Sequence, residues 1–284
     1  MSEPKEPQYF CKDFHEESKK VHGRVLGFEF TTEEEYLKLF KNAKNEKIIG
    51  EASTMHLYSK VAAKEIYKFN PSAKILISIR EPVDFLYSYY LDLYYLRGEY
   101  VSDFKKAIQL EEERKKGNHL PETLEFPSTL FYSEVSKFSE QIERYLKVFP
   151  HEHIKIILFD DLKNDPKKTY EEILVFLEVN DTDFKPNFVI QNPAKTYRFK
   201  FLQELLTNPY KMNGVKQMYR KIFPLKLRYV IYNFLLELNK KPIKKPPIDS
   251  EFRYELMMKF KPEVEKLSDL VNRDLITLWG YNKV

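Results

Sequence analysis

Residues 74–90, KILISIREPVDFLYSYY, decide the fold. Lys74 to Ile79 is a short aliphatic run, Arg80 ends it, Glu81-Pro82 turns the chain, and an aromatic-rich helical stretch carrying Ser88 follows. A continuous apolar run of this length, bounded by a turn, suits a parallel strand covered on both faces. Pro82 falls where the first turn of a helix tolerates proline. In an open parallel sheet ligands lie beyond the carboxyl ends of the strands. Arg80 at a strand end, beside the unpaired amides and positive dipole of a helix amino terminus, therefore outlines an anion site. A guanidinium grips a phosphate through two parallel bonds, and a serine two turns into the helix adds a donor. Along that helix Glu81, Asp84, Ser88 and Asp92 share a polar stripe, and Phe85, Tyr89, Leu93 and Leu96 an apolar one. Spacing alone leaves Arg80 two roles, a structural ion pair or an anion grip.

Working outward, the chain alternates. KIIGEAS (47–53) and HIKIILFD (153–160) are further strand-like runs, and HLYSKVAAKEIYKF (56–69) has helical spacing. The chain then continues as a helix to about Leu96, a charged helix near 101–116, and a long helical pattern opened by Ser128, FYSEVSKFSEQIERYLKVF (131–149). Asp165-Pro166 is a cap followed by a first-turn proline. From about Arg198 onward the pattern is helical, with no further strand. This alternation predicts an α/β class with a mainly parallel sheet.

Composition excludes several alternatives. The 284 residues contain only 7 glycines, so a glycine-rich phosphate cradle would stand out, and neither GxGxxG nor GxxxxGK[ST] occurs. No apolar run approaches the roughly 18 to 20 residues of a membrane span, and the first residues are too polar for a secretory signal. The single cysteine, Cys11, fits a reducing compartment, so a cytoplasmic location is expected. The net charge is +4, unevenly placed: Lys240, Lys241, Lys244 and Lys245 crowd NKKPIKKPPID. That stretch is either a solvated loop or a contact for an anionic substrate or surface. No nucleic-acid recognition motif accompanies it, and no metal-ligand pattern is present.

KILISIREPVDFLYSYYLDLYYLRGEY (74–100) resembles the 3′-phosphate-binding segment of PAPS-dependent sulfotransferases. That segment pairs a strand with an Arg-x-Pro turn and a helical serine eight residues after the arginine. KEPQYF (5–10), GEAST (50–54), IKIILFDDLKNDPKKTYEEILVFLEV (154–179) and KFKPEVEKLSDLVNRDLITLWGY (259–281) resemble further segments of the bacterial-type and heparan-type branches. The resemblance implies a P-loop-NTPase-like three-layer fold formed as one domain over 1–284. Its α/β core would occupy 1–190, with a cofactor-covering loop and mainly helical part in 191–284. It implies sulfuryl transfer from PAPS to a hydroxyl or amine of a carbohydrate or small metabolite.

Residue by residue, the resemblance implies that Arg80 and Ser88 hold the 3′-phosphate and that Glu6 is the base. Lys5 would contact the sulfuryl group or acceptor. QNPAKTYRFKFLQELL (191–206) resembles the loop closing over the nucleotide, with Lys195 and Arg198 as phosphate contacts and Tyr197 near the adenine. On residue types alone, Lys5-Glu6 fits an exposed pair near a terminus equally well. His15, His22 and His56 lie near the expected acceptor region, but none sits in the motif of the branch that uses histidine as base. Tyr58, Tyr94, Tyr95 and Tyr132 could line a sugar or phenol site. The family pattern also places a strand and a Lys-x-Gly-Thr-Thr loop before the KEPQYF-like segment, and only four residues precede Lys5. A start internal to a longer reading frame is expected. The competing function is an impaired, nucleotide-binding relative that acts through partner contacts.

Overall fold

The computed structural model describes residues 2, 4–121, 124–179, 186–188, 195–199, 202, 234–235, 238–242 and 245–284. Four helices come first: α1 (Lys12–His22), α2 (Glu33–Lys38), α3 (Met55–Tyr58) and α4 (Ala62–Phe69). Strand β1 (Ile75–Ile79) leads into α5 (Pro82–Asp92), which continues as a π-helical turn over Leu93–Arg97. Then follow α6 (Phe104–Gln109), α7 (Glu111–Lys115), α8 (Tyr132–Val135), α9 (Phe138–Leu146), β2 (Ile154–Leu158), α10 (Phe159–Asn164) and α11 (Pro166–Phe176). A short ribbon pairs β3 (Lys195–Tyr197) with β4 (Lys240–Pro242), and the chain closes through α12 (Ser250–Val271) and α13 (Leu275–Leu278).

β1 and β2 are parallel, with Ile75 opposite Ile154 and Ile79 opposite Leu158. Their carboxyl ends therefore lie side by side, which places Arg80 next to Phe159. Burial along β1 alternates: Ile77 and Ile79 are buried while Leu76 and Ser78 are open to a cleft. The face of β1 that carries Leu76 and Ser78 is thus partly open, while Ile77 and Ile79 pack into the core. The expected strand at 47–53 is absent among the described residues. The carbonyls of Gly50 and Ala52 accept from Ser2 N at 2.9 Å and Glu6 N at 3.0 Å, so this segment is committed to the amino-terminal one rather than to β1.

The core forms where α5 meets the carboxy-terminal part. Val83, Leu86, Tyr90 and Leu93 are buried against Phe252, Leu256, Phe260, Val264 and Leu267 of α12. Each such aliphatic or aromatic side chain contributes about 1.5–3 kcal/mol on burial. The apolar stripe is thus rotated from the expected one, because Phe85 and Tyr89 are only half-buried and border the cleft. A helix apolar on most of its circumference permits more than one stripe.

Two other expectations are corrected. The long helix at 131–149 is broken into pieces, each held by a carboxylate from elsewhere. Glu17 accepts from Ser128 N and Oγ, Glu111 from Ser133 N and Oγ, and Glu263 from Ser139 N and Oγ. Such capping satisfies the free amides of each new helix start. The helical expectation after Arg198 also fails, at β4. Buried Asn239 donates to Phe199 O and accepts from Phe199 N, pinning a ribbon whose lysine-rich strand has no β propensity of its own. Among the described residues no helix is long and apolar enough to cross a membrane.

Candidate active site

The cleft runs along β1 from Lys74 to Arg80, where Phe159 joins its wall, and has a volume of about 1980 Å³. Its walls include Glu6, Glu51, Ser53, Thr54, Arg80, Ser88 and Lys245. Arg80 stands 5.0 Å from the ring centre of Phe159, the neighbour that strand register dictates, and its Nη2 reaches Asp84 Oδ2 at 3.4 Å. Lys245 Nζ donates to Ser88 Oγ at 2.6 Å. Partial burial and then the Arg80 guanidinium hold the Lys245 ammonium below the usual lysine value, with Asp84 opposing them. Two cations and a hydroxyl thus meet on the cleft side of α5.

The helix terminus itself contributes less than expected. Glu81 accepts from Val83 N at 2.9 Å and Asp84 N at 2.7 Å, so these amides are capped rather than presented to a ligand. Burial raises the Glu81 pKa, and the bonds from Tyr281 and from the two amides oppose the rise. Glu81 therefore belongs to the helix cap and not to the polar stripe shared with Ser88. The positive groups left open at this end of the cleft are therefore side chains, Arg80 and Lys245.

Glu6 sits on the same cleft, on a loop held in an uncommon conformation. Glu6 and Gln8 have φ of 59° and 51°, on either side of Pro7. Left-handed backbone at non-glycine residues is costly and persists only where surrounding bonds over-determine it. Those bonds are present: Glu6 N to Ala52 O, Gln8 N to Ser53 Oγ at 3.0 Å, and Cys11 N to Gln8 O at 3.1 Å. Thr54 fixes the carboxylate, donating to Glu6 Oε2 from its amide at 2.8 Å and its hydroxyl at 3.2 Å. GEAST is therefore the cradle of Glu6. Lys5, by contrast, is exposed and lies outside the described wall of the cleft.

The other expected residues scatter. Tyr197 and Arg198 lie at the β3 ribbon, outside the described cleft wall, and the side chain of Lys195 lies outside the described residues. His15 Nε2 is 3.1 Å from Gln8 O, and His22 Nε2 is 2.7 Å from Leu124 O. His56 Nδ1 is 3.0 Å from Glu51 Oε1. Burial pushes the His15 imidazole down to about 4. Tyr132 is buried against Glu99, outside the described wall of the cleft, whereas Tyr58 and Tyr95 border the cleft. Lys245 was visible in the sequence only as one of four loop lysines. Asp84 had only its place on the polar stripe, and nothing local marked its partner Arg253.

A family model described as the sulfotransferase domain matches residues 6–222. The chain belongs to the sulfotransferase domain family. Similar proteins include the membrane-associated sulfotransferase kil1 of Dictyostelium discoideum, 31% identical over 93 residues, 32% of this chain and 18% of that protein. Heparan sulfate glucosamine 3-O-sulfotransferase 5 of Mus musculus is 25% identical over 141 residues, 47% of this chain and 37% of that protein. The matches thus span 18% to 37% of the length of these curated relatives. A sulfotransferase from Alicyclobacillus acidocaldarius superposes with a TM-score of 0.64 at 24% identity, covering 97% of this chain and 86% of that one. That likeness speaks for the fold, the P-loop-NTPase-like α/β arrangement of sulfotransferases with parallel strands flanked by helices.

Proposed function

We propose that this sulfotransferase domain uses PAPS as donor and transfers its sulfuryl group to a hydroxyl or amine of a carbohydrate or small metabolite. The observation that carries this reading is the meeting of Arg80, Lys245 and Ser88 in the cleft that also holds Glu6. Adjacent cations with a depressed lysine gain from a dianion between them, so these side chains fit a phosphate. Arg80, Lys245 and Ser88 would hold the 3′-phosphate, while Lys195, Tyr197 and Arg198 are proposed contacts from the covering loop. When bound, PAPS supplies an electrophilic sulfuryl group on a phosphate leaving group.

Glu6 acts as the general base. Thr54 occupies Oε2, and Oε1 takes no hydrogen bond from the described residues, which leaves it for an acceptor proton. Lys5 is the proposed contact for the sulfuryl group or acceptor. The cleft exceeds the roughly 300–1,000 Å³ of a drug-sized pocket, which accommodates nucleotide and acceptor together. A carbohydrate acceptor is favoured by the named activity of the heparan-type relative and by Tyr58 and Tyr95 at the cleft. The buried thiol of Cys11 agrees with a cytoplasmic setting.

The test supplies sulfur-labelled PAPS with a panel of amino sugars, oligosaccharides and phenols. Label should pass to an acceptor with the wild-type chain and fail to pass with Glu6→Gln. Full transfer by Glu6→Gln would remove the base assignment, and absence of transfer to every acceptor would count against the enzyme reading.

A further inference from the structure

Arg253, in the first turns of α12, lies 169 residues from Asp84 in sequence and 2.7 Å from its Oδ1 through Nη1. Its Nη2 reaches Glu81 Oε2 at 3.3 Å, and Tyr281 donates to Glu81 Oε1 at 2.5 Å. The other Asp84 oxygen, Oδ2, faces Arg80 at 3.4 Å. Asp84 is therefore shared between two guanidiniums, closely with Arg253 and loosely with Arg80. The charged groups gathered here are the cations Arg80, Lys245 and Arg253 and the carboxylates Asp84 and Glu81.

This sharing decides how much of Arg80 is left for a ligand. A carboxylate without its own partner draws the nearest guanidinium into a bidentate pair and repels a phosphate arriving at the same place. We propose that Arg253 is a positioning residue for the phosphate site: it occupies Asp84 so that Arg80 remains available to the anion. The carboxy-terminal helix, whose Arg253 lies outside the described wall of the cleft, thereby sets the cofactor affinity of a site built on β1 and α5. The inference rests on the 3′-phosphate reading of Arg80.

The test titrates adenosine 3′,5′-bisphosphate and adenosine 5′-monophosphate by calorimetry into wild type, Arg253→Gln, Asp84→Asn and the double variant. Arg253→Gln should lose about tenfold in bisphosphate affinity, the order of one charge-assisted contact, with monophosphate affinity unchanged. Adding Asp84→Asn should restore the loss, which a purely structural role for Arg253 would not permit. Asp84→Asn alone should bind the bisphosphate about threefold tighter, since it frees Arg80 directly; this arm stands even if Arg253→Gln does not fold. A wild-type ratio in Arg253→Gln, failure of Asp84→Asn to restore binding, or weaker binding in Asp84→Asn alone would overturn the proposal. Equal wild-type affinity for the two nucleotides would instead overturn the phosphate-site reading, and this inference with it.

Discussion

Lys245 Nζ lies 2.6 Å from Ser88 Oγ across 157 residues of sequence. A lysine from the basic loop thus reaches the helix that follows Arg80. Lys245→Ala removes one charge-assisted contact, worth about 1.5–3 kcal/mol, and should weaken adenosine 3′,5′-bisphosphate binding by roughly tenfold to a hundredfold. Binding of the 5′-monophosphate should stay within about twofold. Calorimetry checks both, and equal losses for the two nucleotides would place Lys245 elsewhere on the ligand.

Glu6 and Thr54 form the second testable relationship. Glu6→Gln keeps the size and one acceptor oxygen of the side chain, so the loop and nucleotide binding should persist. Sulfuryl transfer should fall by about 10²–10⁴-fold, the usual contribution of a general base. Thr54→Val removes one of the two donors to Glu6 and should lower turnover by several-fold while leaving bisphosphate affinity unchanged. Steady-state kinetics beside calorimetry separate these outcomes.

In the interior, Arg114 and Glu99 form a bidentate pair with both side chains fully buried, and Tyr132 donates to Glu99 Oε2 at 2.7 Å. Breaking the pair strands a charge in the core, so Arg114→Ala should destabilise the fold by about 3–5 kcal/mol. The double variant Glu99→Leu, Arg114→Met should be less destabilised than Arg114→Ala, because neither charge remains. Urea unfolding gives the comparison; a loss below about 1 kcal/mol in Arg114→Ala would contradict the structure.

Stability should also respond to pH through His15. Its imidazole titrates near 4 when folded and near 6.5 when unfolded, because burial disfavours the cation. The unfolded chain therefore binds the extra proton first. The contribution is complete above pH 6.5 and is lost as pH falls toward 4. Discounted for solvent screening, the loss is about 1–2 kcal/mol. His15→Gln should flatten that part of the stability profile, and an unchanged profile would count against it. The bond from His15 to Gln8 O works against that shift, because a carbonyl accepts from the imidazolium as well as from the neutral ring.

What the sequence revealed and what it hid follow from sequence distance. Arg80, Pro82 and Ser88 lie within one strand-turn-helix unit, so the place of Arg80 and Ser88 on one wall of the cleft could be read locally. Asp165 and Pro166 were equally legible, and Asp165 does accept from Lys168 N to start α11. The breaks in 131–149 were not legible, because Glu17, Glu111 and Glu263 arrive from three other elements. Lys245 was only one of four lysines, and the Arg253–Asp84 pair had no local signal at all. The cap by Glu81 was written in the sequence beside Pro82; its consequence, a terminus whose first amides are already bonded, required the geometry.

The most direct measurement is the calorimetric preference of the wild-type chain for adenosine 3′,5′-bisphosphate over adenosine 5′-monophosphate, repeated with Arg80→Ala. The account predicts a preference of at least about tenfold in wild type and its disappearance in the variant. Equal affinities in wild type, or a preference that survives Arg80→Ala, would contradict it.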